Sequence, residues 1–166
     1  MTQIRQSTND VYIPIGKIKL TGELLIPQDA KGIVLFAHGS GSSRFSPRNQ
    51  FVAKFLREHQ LATLLIDLLT PEEDQVDQIT REMRFNIDLL AERLIGITEW
   101  LLQEARTKNL HIGYFGSSTG AAAALIAAAK KREAISAIVS RGGRPDLADR
   151  FLSQVQASTL LIVGGA

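Results

Sequence analysis

The sequence predicts a three-layer α/β/α sandwich built on a mostly parallel sheet, with an antiparallel pair of strands at its N-terminal side. Three observations predict it. Five nearly continuous apolar runs of strand length, the first at 32–37 and the last at 158–165, alternate with segments of helical spacing, the pattern of a parallel sheet covered on both faces. Two short stretches of alternating polarity precede them, and such alternation suits half-buried antiparallel strands. The 166 residues are 45% hydrophobic and 22% charged, the balance of one ordinary globular domain able to bury a core. With no internal repeat, low-complexity linker or break in composition, residues 1–166 read as a single domain.

The alternating stretches are Val11 to Ile15 and Ile18 to Ile26, joined at Gly16-Lys17 and closed by Pro27, which suits a hairpin at a sheet edge. The run GIVLFA, Gly32 to Ala37, leads through a Gly/Ser loop into a helix that Ser46 caps and Pro47 opens, with Phe51, Phe55 and Leu56 at helical spacing as its apolar face. A strand follows at Ala62 to Asp67, then a polar loop around Pro71 to Asp74. The next long helix presents Ile87, Leu90, Leu94, Ile97 and Leu101 on one face. Strands at Leu110 to Gly116 and Ala134 to Ser140 flank an alanine-rich helix, a short helix spans Leu147 to Gln154, and Ser158 to Gly165 is the last strand. In such sheets ligands bind outside the carboxyl ends of the strands, so chemistry is expected in the loops that follow them.

Composition narrows the function. Nineteen Lys and Arg against 17 Asp and Glu leave a formal charge of +2 with no basic cluster, so neither nucleic acid nor an anionic membrane is expected as a partner. The absence of cysteine excludes disulfides, thiolate zinc sites and a cysteine nucleophile, and fits a cytoplasmic setting. The polar opening, MTQIRQSTNDVYIPI, lacks the apolar core of an export signal. The run Ala121 to Ala129 is far shorter than the roughly 20 residues of a membrane span and reads as a buried helix.

The sharpest motif is Gly116-Ser117-Ser118-Thr119-Gly120, a G-x-S-x-G that follows a strand and opens a helix. This turn lifts Ser118 out as a nucleophile, and Gly116 and Gly120 permit the close backbone approach it requires. The plainer reading is a glycine-rich turn that lets a small-residue helix pack on the sheet. A serine nucleophile needs donors for the oxyanion it creates. Candidates are the backbone N–H of Thr119, at a helix N-terminus, and that of Ser40, in the loop His38-Gly39-Ser40-Gly41 after the first parallel strand. His38 and Gly39 are expected to fix that loop rather than to act on protons.

Other residues have bland and sharp readings side by side. Asp146 could supply an acid to Ser118, and more simply caps the short helix that follows it. Arg141 and Arg144 could contact an anionic substrate, and more simply are solvated. The acidic run Glu72-Glu73-Asp74, with Asp77, has no histidine beside it and reads as a solvated cap or lid rather than a metal site. Asp67 reads as a loop-fixing residue.

The His38-Gly39 pair, the SSRFSPRN segment at 42–49, GSSTG at 116–120 and SRGGRPDLA at 140–148 together resemble the dienelactone hydrolase-like branch of the α/β-hydrolases. The resemblance covers nearly the whole chain in element order. It implies the α/β-hydrolase fold, Ser118 as nucleophile, oxyanion amides from Ser40 and Thr119, a small-molecule acyl substrate, and no metal or organic cofactor. Dienelactone hydrolases proper carry cysteine in the elbow, so an ester, thioester or similar acyl compound is the expected class here. Similar chains occur beside phosphoribosyltransferase domains, which implies a fused or neighbouring domain of that kind; a homodimer is the other association considered.

One departure stands out. The fold's order is Ser, then Asp or Glu, then His, whereas His38, His59 and His111 all precede Ser118. His59 falls at a helix end, and His111 begins the strand to the elbow, about 20 Å from Ser118. The expectation is therefore a C-terminally incomplete form whose acid, base, last strand and last helix follow Ala166, or else a form that has lost its base; either should turn over poorly. Two rivals remain. An NAD(P)-binding Rossmann-like domain would use the Gly39–Gly41 loop with Asp67 on a ribose, although Arg44 stands where that motif needs a small residue and neither Tyr12 nor Tyr114 has the lysine of a short-chain reductase. A non-catalytic hydrolase-like interaction module would keep Ser118 as a relic.

Overall fold

The computed structural model describes residues 9–165. The polar opening read above as lacking an export signal lies, over residues 1–8, outside the described residues, as does residue 166. Strands β1 (Asp10–Ile15) and β2 (Ile18–Leu25) form the expected antiparallel pair, followed by β3 (Gly32–Ala37), α1 (Pro47–Glu58) and β4 (Leu61–Ile66). After α2 (Pro71–Thr80) and α3 (Ile87–Gln103) come β5 (His111–Ser117), α4 (Thr119–Lys130), β6 (Ile135–Arg141), α5 (Asp149–Leu152) and β7 (Ser158–Ile162). The sheet order is β1-β2-β4-β3-β5-β6-β7. β1, β2 and β4 are antiparallel neighbours, and every pair from β4 to β7 is parallel. This is the mixed, mostly parallel sheet of the α/β-hydrolase fold.

Register is what assembles the site. Ala37 pairs with Ile66 on one side and Gly116 on the other, and Gly116 pairs in turn with Ser140. The strands therefore end level with one another, and the loops at His38, Asp67, Ser118 and Arg141 emerge along a single edge.

The main core lies between the sheet and helices α3 and α4. On α3, Leu90, Leu94, Ile97 and Leu101 are buried as their spacing predicts. On α4 every residue from Thr119 to Ala129 is buried, because alanine on all sides lets strands and α3 approach together. Within this core the Tyr114 hydroxyl meets Thr98 Oγ1 at 2.5 Å, so this tyrosine has a structural partner. No helix among the described residues is long and apolar enough to cross a membrane.

Three local expectations need correction. On α1, Phe51 and Phe55 are exposed, at 74% and 54%, and the helix instead buries Asn49 and Ala53, with Val52 and Leu56 half-buried on Phe36, Leu65 and Phe115. The small Ala53 lets the backbone pack close, which turns the i, i+4 phenylalanine pair outward. The polar segment around Pro71 is not a loop but the start of α2, where Thr70 accepts from Glu73 N–H at 3.2 Å and Glu73 bonds back to Thr70 N–H at 2.9 Å; this capping box, followed by proline at the first helical position, was present in the sequence. Asp146 caps no helix: it lies inside a 3-10 turn, Pro145–Ala148, and α5 starts only at Asp149. Arg144, two residues away, pairs with its carboxylate at 2.7 Å.

The α1 correction gives a contrast. Phe36→Ala should cost about 3–5 kcal/mol in a denaturant unfolding measurement, whereas Phe51→Ser should change stability by about 0.5 kcal/mol or less.

Candidate active site

Ser118 sits between the last residue of β5 and the first of α4, with φ 51° and ψ −121°. A positive φ is uncommon for a residue other than glycine, and holding it costs of order 1–3 kcal/mol unless the surroundings enforce it. They do so here through close packing. A Cβ at Gly120 would collide with the carbonyl oxygens of Ala37 and His38, and one at Gly116 with the backbone of Ala121. The start of α4 is thus pressed against β3 and β5, and the turn between has no slack. The first backbone bond of the helix runs from Ala121 N–H to Ser118 O at 3.1 Å, so the Thr119 amide belongs to the open N-terminal end.

The loop after β3 crosses directly beside this turn. Gly39 packs on Ser118, where an added Cβ would stand 3.2 Å from that of Ser118. His38, Gly39, Ser40 and Thr119 line one cavity of about 600 Å³ together with Leu69, Leu90 and residues of α2. The overlooked helix α2 is one wall of it. Asp77, buried on α2, accepts from Met83 N–H at 2.8 Å and Arg84 Nε at 2.6 Å, tying α2 to the turn that follows. Burial pushes the Asp77 carboxyl up, but its bonds to the Arg84 guanidinium and to the backbone of Arg84 and Met83 prevail and hold it below the usual carboxylate range. The acidic run is therefore a capped helix start: Glu73 caps it and pairs with Arg93 at 2.6 Å, and Asp74 bonds Gln78.

His38 is the linchpin of the loop. Its Nδ1–H donates to Gly39 O at 3.0 Å while Nε2 accepts from Leu68 N–H at 3.1 Å. Both ring nitrogens are used, which fixes a neutral tautomer and joins the loop after β3 to that after β4. Burial holds its pKa below the ordinary value, against the opposing pull of the Gly39 carbonyl. Asp67 fixes the same region. It accepts from Arg44 N–H at 2.8 Å and faces Arg44 Nε at 3.2 Å, and Arg44 also reaches Asp10 at 3.0 Å. A carboxylate held in this way is not offered to a ribose, and Arg44 fills the space a dinucleotide loop leaves to a small residue, so the Rossmann-like reading is not favoured.

The remaining candidates separate. Arg141, at the end of β6, donates to Ser117 Oγ at 2.9 Å and to Asn49 Oδ1 at 3.4 Å, bracing the residue before Ser118 against α1. Arg144 and Asp146 pair with each other, their side chains more than half exposed. Asp146 lines a different cleft with Ile126, a residue eight positions along α4 from Ser118 and so roughly 12 Å down the helix; the structure does not bring it to the elbow. His59 Nδ1 bonds Phe55 O at 2.8 Å and closes α1. His111 opens β5, at the opposite end from Ser118.

The His38 geometry fixes a pH dependence. Its native pKa is lowered, so below about pH 6.5 the unfolded chain takes up a proton that the native state refuses, and stability is lost as pH falls. The denaturant midpoint should be level above about pH 7 and decline toward pH 5.5. In His38→Asn, measured over the same range, that slope should be flatter.

No protein-family model matches the chain. Two proteins of Mycobacterium tuberculosis, from strains CDC 1551 and H37Rv and each named "Putative phosphoribosyl transferase", are 54% identical over 156 residues. That match covers 94% of this chain, which spans only 34% of the length of those relatives. Est1E from Butyrivibrio proteoclasticus shares the fold, with TM-score 0.68 at 19% identity over 82% of this chain and 51% of its own. Dienelactone hydrolase from Anabaena variabilis superimposes with TM-score 0.93. At 60% identity over 94% of its length and 72% of that hydrolase, the chain belongs to the dienelactone hydrolase family of α/β-hydrolases.

Proposed function

We propose that the protein is a serine-dependent hydrolase of an ester, thioester or related acyl bond in a small molecule. The observation that carries the reading is the positive φ of Ser118 at the head of α4, a conformation enforced by tight packing at a helix N-terminus where an anion is stabilised. Ser118 Oγ attacks the acyl carbon and passes its proton to a base. The amides of Ser40 and Thr119 hold the oxyanion, and the C–O or C–S bond to the leaving group breaks as that group takes the proton. Water then releases the acid and restores the hydroxyl. The kinship to a dienelactone hydrolase supports hydrolysis; in this reading the reaction uses no cofactor.

The base is proposed to come from outside residues 9–165. His38 spends both nitrogens on the backbone, His59 closes α1, and His111 lies at the far end of β5. A bare surface supports a further segment. On the α1 side of the sheet the register aligns Phe36, Phe115, Val139 and Leu160 in one row, and α1 covers only its first members. All of β7 is exposed, including Leu160 at 57% and Ile162 at 45%. A strand and helix that continue the sheet would cover this apolar edge, which left open invites association. The length that the Mycobacterium relatives have beyond the match supports a fused or neighbouring phosphoribosyltransferase domain as a partner.

Three outcomes are expected. With imidazole present as the base, a fluorophosphonate probe should add one mass equivalent to the purified chain and none to Ser118→Ala. Because no histidine of the chain serves Ser118, added imidazole should raise 4-nitrophenyl acetate turnover well above that of Ser118→Ala in the same buffer; equal rates in both would reject Ser118 as the nucleophile. Separately, the 166-residue chain should bind a hydrophobic dye, and Leu160→Lys combined with Ile162→Glu should reduce the signal.

A further inference from the structure

Thr119 is 3% exposed, and its Oγ1 is enclosed with no hydrogen-bond partner among the described residues. Buried hydroxyls are nearly always paired, so an orphan calls for an explanation. This one is in a telling place. Thr119 is the first residue of α4, directly after Ser118, and it lines the same cavity as Ser40 and Gly39. Side chains of a helix tilt toward its N-terminus, which for this residue is the direction of the loops at the carboxyl edge of the sheet. Thr98 and Thr107, also buried on α3 or just beyond it, bond the carbonyls of Leu94 and Leu101; Thr119, with no preceding helical turn to bond to, has no such outlet.

We infer that the Thr119 hydroxyl is a third donor of the oxyanion hole, completed by the substrate: its O–H turns to the acyl oxygen of a bound ester and strengthens that bond as negative charge develops there. The inference rests on the assignment of Ser118 as nucleophile. A donor that has no partner in the resting protein and gains one as the oxyanion forms contributes to the transition state rather than to the fold. In the acylation step Thr119 keeps its hydrogen: the Oγ–C bond forms at Ser118 as the Ser118 proton passes to the base, the carbonyl oxygen takes the electron pair, and as that pair returns the bond to the leaving group breaks and that group takes the proton.

The test uses the full 166-residue chain and Thr119→Val, which keeps the shape and removes the hydroxyl, with Thr119→Ser restoring it and Ser118→Ala as the blank. Second-order rate constants for fluorophosphonate labelling and for acylation by 4-nitrophenyl acetate, both in imidazole buffer that supplies the base, are measured beside the denaturant midpoint. Thr119→Val should acylate about tenfold more slowly or worse, with an unchanged or higher midpoint because it breaks no bond of the resting protein. Thr119→Ser should return within about threefold of the parent. A labelled parent with Thr119→Val within twofold of it overturns this inference and leaves Ser118 as the nucleophile; a parent that labels no faster than Ser118→Ala overturns both. Should Thr119→Val not fold, Thr119→Ala is read in its place by the same criteria.

Discussion

The constraint on which the site depends is the seating of α4 on β3 and β5. Gly120 lies so near the carbonyl oxygens of Ala37 and His38, and Gly116 so near the backbone of Ala121, that no side chain can stand between them. Everything at the candidate site hangs on this approach. It aims the N-terminus of α4 at the carboxyl edge of the sheet, forces Ser118 to a positive φ, and brings Gly39 onto Ser118. The strain at Ser118 persists because relieving it would lift a helix buried from Thr119 to Ala129 off the sheet.

Around this fixed point the loops are held by polar contacts that leave little freedom. His38 bonds Gly39 O in its own loop through Nδ1 and joins that loop to the one after β4 through Nε2 and Leu68 N–H, Arg44 ties the first of these loops to Asp67 and Asp10, and Arg141 braces Ser117 against Asn49 on α1. These contacts tie the loop after β3 to that after β4 and the end of β6 to the end of β5 and to α1, so the amides near Ser118 are positioned by several elements of the carboxyl edge. Such preorganisation is what an oxyanion site requires, because donors already in place need no rearrangement when charge develops.

Residues that looked chemical in isolation turn out to be engaged in structure. Asp67, Asp77, Glu73, His38 and His59 all have partners that fix a loop or close a helix. Asp146 is held by its neighbour Arg144 and by the backbone at its own position and Leu147, and stands off the elbow. The helix α2, read as a loop because its opening is so acidic, is a wall of the cavity; its capping box was written in Thr70 and Glu73, and a search for that pairing would have found it.

The sequence by itself determined the order of elements, the parallel sheet and the elbow, since period, turn glycines and small residues are local signals that survive in any context. It could not decide which face of α1 is buried, because Phe51 and Phe55 fit a helical stripe as well as Asn49 and Ala53 do; the answer came from how closely the helix approaches Phe36 and Phe115. Nor could it show that His38 spends both nitrogens on the backbone, that Arg44 occupies Asp67, or that the Thr119 hydroxyl has no partner among the described residues. Those facts depend on residues as far as 30 positions apart in the chain, brought together only when the strands align in register, and the distances that decide their chemistry exist only in three dimensions.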